Sequence, residues 1–145
     1  MRYLNITDNQ LTALPERIGE MAALRELRLY SNKLTSLPGS FGNLRQLREP
    51  HLQDNLLETL PDSIEGLESL RELSLRNNRP RTLSPHIGGL RRLARLDLRA
   101  NRLTGIPRQI MELPQLEKLD LRWNPVTLDP TWIDELEDRG CAVLI

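Results

Sequence analysis

Apolar positions in this chain recur in one fixed frame. Leu27, Leu29 and Leu34 surround Asn32, and Leu96, Leu98 and Leu103 surround Asn101 in the same way. Downstream, Leu37-Pro38, Phe41 and Leu44 are matched by Ile106-Pro107, Ile110 and Leu113. Asparagine stands at Asn9, Asn32, Asn55, Asn78, Asn101 and Asn124, each step being 23 residues. The shared string is LxxLxLxxNxLxxLPxxIxxL, and a fixed period of this length makes the architecture a stack of like units.

Each part of the string has a physical role. The LxLxx portion alternates apolar and polar residues at period two, which predicts a short strand with one face inside and one in solvent. One strand per unit makes a parallel sheet. The chain then turns inward and brings polar backbone groups with it, and an asparagine amide can both donate to and accept from them. In LPxxIxxL, proline suits the first position of a helical turn, and two apolar residues three apart share one side of a short helix or 3₁₀ turn. No unit buries its apolar face alone, so stability comes from stacking on neighbours.

This frame resembles the leucine-rich-repeat family, in particular the 23-residue class of bacterial proteins, plant intracellular Ras-group proteins and Scribble-like scaffolds. The resemblance covers residues 1–145. It implies an α/β fold, a curved right-handed solenoid with a parallel sheet on the concave face and short helices or 3₁₀ turns on the convex face. It also implies one domain over residues 1–145, with six repeats starting near residues 1, 24, 47, 70, 93 and 116.

The two ends read differently. Residues 128–145 leave the frame and are expected to cap the array: Asp129 caps a helix begun by Pro130, Trp132, Ile133 and Leu136 form its apolar side, and Gly140 stops it. Cys141, Ala142, Val143, Leu144 and Ile145 read as a final strand. Asp134, Glu135, Glu137 and Asp138 read as the solvated face of the cap helix. At the amino end, Met1 falls at the first position of a repeat, with no polar cap before it. Upstream chain, a covering second subunit, or fraying of the first repeat would each answer that open end. Within the array, Pro50 replaces a strand leucine and removes an N–H from the ladder, so a bulge or weak spot is expected there. Pro80 replaces the leucine after Asn78 and Ser84 replaces the usual proline, which predicts an altered turn in the fourth repeat.

Exposed strand residues of successive repeats should line up about 5 Å apart, as neighbouring strands do. One column reads Thr7, Tyr30, Gln53, Arg76, Arg99, Arg122; the next reads Asn5, Arg28, His51, Ser74, Asp97, Asp120; the third reads Tyr3, Glu26, Glu49, Glu72, Arg95, Lys118. The face passes from acidic to basic along the array. Tyr30, His51, Gln53, Arg76, Asp97, Arg99, Asp120 and Arg122, with Trp123 as an aromatic anchor, are therefore the candidate partner-binding residues. Asp97 with Arg99, and Asp120 with Arg122, are placed to pair across that face, whereas Arg76 has Ser74 two residues upstream and should lack compensation.

Formal net charge is zero, yet residues 73–108 hold nine arginines against one acid, Asp97, and the flanks balance them. Arginine forks suit carboxylates and phosphates, so a protein partner with an acidic or phosphorylated surface is expected. Nucleic acid is disfavoured, because the belt lacks interleaved aromatics and the whole chain is not basic.

Aromatics are only 3% of residues, so aliphatic side chains, chiefly leucine, must fill the core. No apolar run reaches the roughly 20 residues that cross a bilayer, and residues 1–5 lack the apolar stretch of a signal peptide. A single cysteine, Cys141, forms no internal disulfide, which points to a reducing cytoplasm. The motifs GxxxxGK[ST], GxGxxG, HExxH and paired CxxC are all missing, and His51 and His86 occupy different repeat positions, so no cofactor, metal site or catalytic residue is expected. The expected function is a non-catalytic protein-binding module or scaffold in intracellular signalling, with self-association through the open amino end as a further partner reading. The alternative is the recognition arm, or a fragment, of a larger enzyme such as a kinase or effector ligase.

Overall fold

The computed structural model describes residues 1–145 and shows a solenoid of stacked coils. Each coil contributes one three-residue strand: β1 Tyr3–Asn5, β2 Glu26–Arg28, β3 Glu49–His51, β4 Glu72–Ser74, β5 Arg95–Asp97, β6 Lys118–Asp120 and β7 Ala142–Leu144. All seven lie in one sheet in sequence order, every neighbouring pair parallel. The register matches like positions, with Tyr3 opposite Glu26, Glu26 opposite Glu49, and Glu72 opposite Arg95. The three sequence columns are thus real columns on the concave face.

Behind the sheet, each of the first five coils returns through a 3₁₀ turn: Glu16–Glu20, Gly39–Asn43, Asp62–Gly66, Pro85–Gly89 and Arg108–Glu112. Four of these follow a proline in extended conformation, whose fixed φ sets up the turn. In the fourth coil Ser84 takes that place, and its hydroxyl accepts from the His86 N–H while Pro85 opens the turn. The altered turn is therefore a capped turn. Glycine lets these turns stack closely: a Cβ on Gly42 would lie 2.1 Å from the Ser63 carbonyl oxygen.

The core between sheet and turns is one continuous aliphatic cluster. Leu27, Leu29, Leu34, Phe41 and Leu44 of the second coil are fully buried, as are Leu98, Leu103, Ile110 and Leu113 of the fifth. Burial of one such side chain contributes roughly 1.5–3 kcal/mol, and the stack repeats it coil after coil.

The asparagine ladder stitches this core together. Asn55 Nδ2 donates to the Leu29 carbonyl of the coil before (2.9 Å) and to Leu52 of its own coil (3.2 Å), while its Oδ1 accepts from the Leu34 N–H (3.0 Å). Asn32, Asn78 and Asn124 repeat that pattern. The amides reach the backbone of the preceding coil rather than one another's side chains. Asn101 is the informative exception: the N–H it would accept belongs to Pro80, which has none, and its Oδ1 accepts from the Asn78 N–H instead (2.8 Å).

Pro50 is buried and stays in register opposite Leu27. Its missing N–H falls on the other side, where β3 and β4 pair only at His51 and Ser74. At the carboxyl end, α1 (Pro130–Asp138) is capped by the Asp129 side chain, which accepts from the Thr131 N–H at 2.9 Å. Leu136 and Cys141 are buried beneath it, and β7 pairs with β6. Burial pushes the Cys141 thiol above its ordinary range, which makes it a poor nucleophile.

Candidate functional site

Short strands with alternate residues outward put two residues of each coil on the concave face, and the second residue after the strand adds a third. At the carboxyl end these positions form a tight charge network. Arg99 holds Asp97 with both Nε (2.9 Å) and Nη2 (2.7 Å), and its Nε also lies 3.5 Å from Asp120 Oδ2. Arg122 grips Asp120 in the same two-pronged way, at 2.9 and 2.7 Å. Both pairs expected from the sequence are formed.

The two aspartates differ in depth. The Asp120 side chain is only 3% exposed, against 26% for Asp97. Burial pushes the Asp120 carboxyl up, but hydrogen bonds and charge from Arg122, with Arg99, outweigh it and hold the group below its ordinary value. Asp120 thus acts from below, by orienting two guanidinium groups. Neither Arg99 nor Arg122 uses Nη1 in these pairs, so each held guanidinium keeps donors to spare.

Arg76 departs from the sequence reading. It is not left alone: its Nη2 lies 3.9 Å from Asp54 Oδ2, a residue of the turn one coil earlier that linear spacing did not bring to it. The contact is long and half exposed, and Arg76 remains the least engaged arginine of its column.

Trp123 stands at the edge of the same face and is 70% exposed, with the Arg122 guanidinium 5.6 Å from its ring centre. Its backbone is left-handed, with φ of 62°. The preceding coils adopt the same conformation at Asp8, Ser31, Asp54, Asn77 and Ala100, so the turn into each asparagine requires it. Aspartate and asparagine tolerate that region, whereas tryptophan is an outlier there.

His51, Asp97, Arg99 and Asp120 come together around a depression of about 190 Å³ floored by Pro50, Leu73 and Leu96. Glu49 and Glu72 border it on one side, and Arg95 and Lys118 on the other. These four were visible as the third sequence column but were not among the candidates; the reversal of sign between Glu72 and Arg95 was the available signal. Glu72 and Arg95 are ion-paired across that boundary. Tyr30, Gln53 and Arg76 line the column outside the depression, and Gln53 Oε1 is enclosed without a hydrogen-bond partner. At the amino end, Arg28 bonds Glu26 at 2.8 Å and stacks 5.4 Å from the Tyr3 ring centre.

No group of three His, Cys, Asp or Glu side chains gathers as metal ligands, and no helix is long and apolar enough to cross a membrane.

A family model described as leucine-rich repeat region matches residues 1–80, and a second, described as leucine rich repeat, matches residues 71–126. With the stacked parallel strands and the asparagine ladder, this places the chain in a class of repeat proteins whose fold is generally a non-catalytic binding scaffold. The chain belongs to the leucine-rich-repeat family. A search among curated proteins finds no match to it. Among solved structures it is similar to a leucine-rich-repeat protein of Leptospira interrogans over 99% of this chain and 54% of that one, at 23% identity and a TM-score of 0.52. It is also similar to the ectodomain of the plant membrane receptor kinase GASSHO1/SCHENGEN3 from Arabidopsis thaliana, solved in complex with CASPARIAN STRIP INTEGRITY FACTOR 2. That likeness covers 79% of this chain and 14% of the other, at 30% identity and a TM-score of 0.71. The chain spans about half the length of the first of these and a small part of the second.

Proposed function

We propose that this chain binds a protein partner through its concave face, as a cytoplasmic signalling module or scaffold without catalysis of its own. The carrying observation is the column Arg76, Arg99, Arg122 beside exposed Trp123. Two of its guanidinium groups are pre-oriented by aspartates and keep donors to spare, and the third is loosely held. Such an array suits a carboxylate-rich or phosphorylated surface, since little side-chain freedom remains to be lost on binding.

The test is capture of a partner by the intact protein with identification by mass spectrometry, followed by titration. Arg76→Ala combined with Trp123→Ala is expected to weaken binding of the identified partner by about tenfold or more, and to reduce its salt sensitivity, at unchanged thermal stability. Undiminished affinity overturns the reading. Arg99 is left intact in this test because its loss would strip Asp97 of its counter-charge and take one of two arginines from the buried Asp120.

A second reading has its own support. The chain matches only 14% of the receptor-kinase ectodomain, so it also fits the recognition arm of a larger enzyme. The reading frame of the full gene decides between the two.

A further inference from the structure

Away from the concave columns lies a charged feature that crosses four coils. Arg2, Arg25, Arg48 and Arg71 each stand immediately before a strand and are all exposed. Their backbones are joined in series: the Arg25 N–H donates to the Arg2 carbonyl (2.8 Å), Arg48 to Arg25 (2.8 Å), and Arg71 to Arg48 (3.0 Å). Four like charges are therefore held at strand spacing along the side of the solenoid. None of the four makes an ion pair. Of the acids next to them in sequence, Glu26 is spent on Arg28 and Glu72 on Arg95, while Glu49 points its charge into the concave depression and pairs with none of the four. The row stops after Arg71, where Ala94 and then Glu117 take the same place. Arg92 flanks Arg71 at that step, across a groove that Ala94 leaves open.

Folding gains no ion pair from this arrangement, because the four arginines are exposed and carry like charges. We propose that the lateral arginine row docks an acidic helical segment of a partner protein, on a surface separate from the concave face. Spacing selects the occupant. Neighbouring strands are about 4.8 Å apart, so four rungs span about 14 Å. Acidic residues along one helix face advance about 5.4 Å per turn, so four of them span about 16 Å. Alternate residues of an extended peptide advance about 6.6 Å, and four would span about 20 Å. The helical value is the nearer of the two. Width selects it too. Glu26, Glu49 and Glu72 follow the row by one residue, so a broad anionic surface such as a membrane would meet them as well, whereas a helix about 10 Å across can follow the basic line alone.

The test uses the full chain and three probes in a binding titration. One is a helical peptide with a single stripe of glutamates at alternating three- and four-residue spacing. The second is its isomer, with the same residues reordered so that glutamates ring the helix. The third is a phosphatidylserine-containing vesicle. The striped peptide is expected to bind about tenfold tighter than the isomer, a difference of about 1.4 kcal/mol. Arg25→Glu, Arg48→Glu and Arg71→Glu together should abolish that binding at unchanged thermal stability. The same reversal at Arg79, Arg81 and Arg102, equally exposed and unpaired on another side, should leave it intact. Equal binding of the isomer, equal harm from the second triple variant, or vesicle binding in place of peptide binding each overturns the proposal. So does salt-sensitive self-association of the chain that the first triple variant abolishes, for the row would then face a second copy.

Discussion

The first coil, residues 1–23, and the fifth, residues 93–115, share one sequence pattern and differ in what that pattern achieves. Leu96 and Leu98 of the fifth are 1% and 0% exposed, whereas Leu4 and Ile6 at the same positions are only partly buried. Asn101 is buried and donates to Leu75, Leu98 and Arg99 while accepting from Asn78. Asn9 is exposed and donates only to Thr7 of its own coil. Identical residues thus differ because each later asparagine reaches backward to the coil before it, a contact that Asn9 does not make in residues 1–145. Stability in this molecule is a property of junctions more than of coils.

The strongest way to break that comparison is to delete equivalent core side chains. Leu98→Ala is expected to cost about 2–5 kcal/mol, because a fully enclosed site collapses poorly. Leu4→Ala should cost well under half as much. Denaturant titration of both variants checks this, and equal losses would mean that the first coil is as firmly held as the fifth. Amide hydrogen exchange gives the same contrast without mutation, being expected fastest over residues 1–23.

Next in size is the ladder itself. Asn101→Ala leaves the buried Asn78 N–H without its partner and takes one of two asparagine donors from each of the Leu75 and Leu98 carbonyls, a loss of about 1–3 kcal/mol. Asn9→Ala removes one exposed bond and should change stability by no more than about 0.5 kcal/mol. A large effect at Asn9 would show that the first coil is tied down by something other than its successor.

Much of this was legible in the sequence because period and chemistry agreed. The 23-residue step located the first six strands, and their register then followed from stacking like on like. Pairing of Asp97 with Arg99 and of Asp120 with Arg122 was legible because residues two apart on a strand share a face. What escaped needed neighbours in space. Asp54 reaches Arg76 from the turn of an earlier coil, and Pro80 redirects the Asn101 acceptor to Asn78. The lateral arginines were hidden because a linear window drew attention to residues 73–108, while the row takes one residue from each of four coils. The left-handed backbone of Trp123 had a signal that went unread: Asp8, Asp54 and Asn77 share its column.

That backbone gives a smaller prediction. Trp123→Gly relieves a left-handed strain worth about 1–2 kcal/mol but adds freedom to the unfolded chain worth up to about 1 kcal/mol. Stability should stay level or rise slightly, while partner capture falls. The same change at Asp8, where the residue type already tolerates the conformation, should not stabilise. A marked loss of stability at position 123 would mean that the tryptophan serves the fold rather than a partner.

The smallest effect comes from a junction contact at the surface. His86 of the fourth coil lies with Nδ1 2.8 Å from Glu65 Oε2 and Nε2 4.0 Å from Asp62, both residues of the third. The hydrogen bond to Glu65 raises the imidazole above its ordinary value of 6.5, burial opposes that rise without cancelling it, and the charges of Glu65 and Asp62 add smaller upward contributions. A group whose folded value is raised stabilises the fold fully below its unfolded value and loses that contribution as pH rises through the folded one. The unfolding midpoint should therefore drop slightly as pH climbs from below 6.5 to above the raised value, in parallel with loss of charge on His86. Both His86→Gln and Glu65→Gln should flatten that step, and added salt should shrink it, because all three side chains face solvent. The contact bridges two coils as the asparagines do, yet water screens it. A pH step as large as the loss from Asn101→Ala would contradict the view that burial, and not merely the crossing of a junction, gives the ladder its strength.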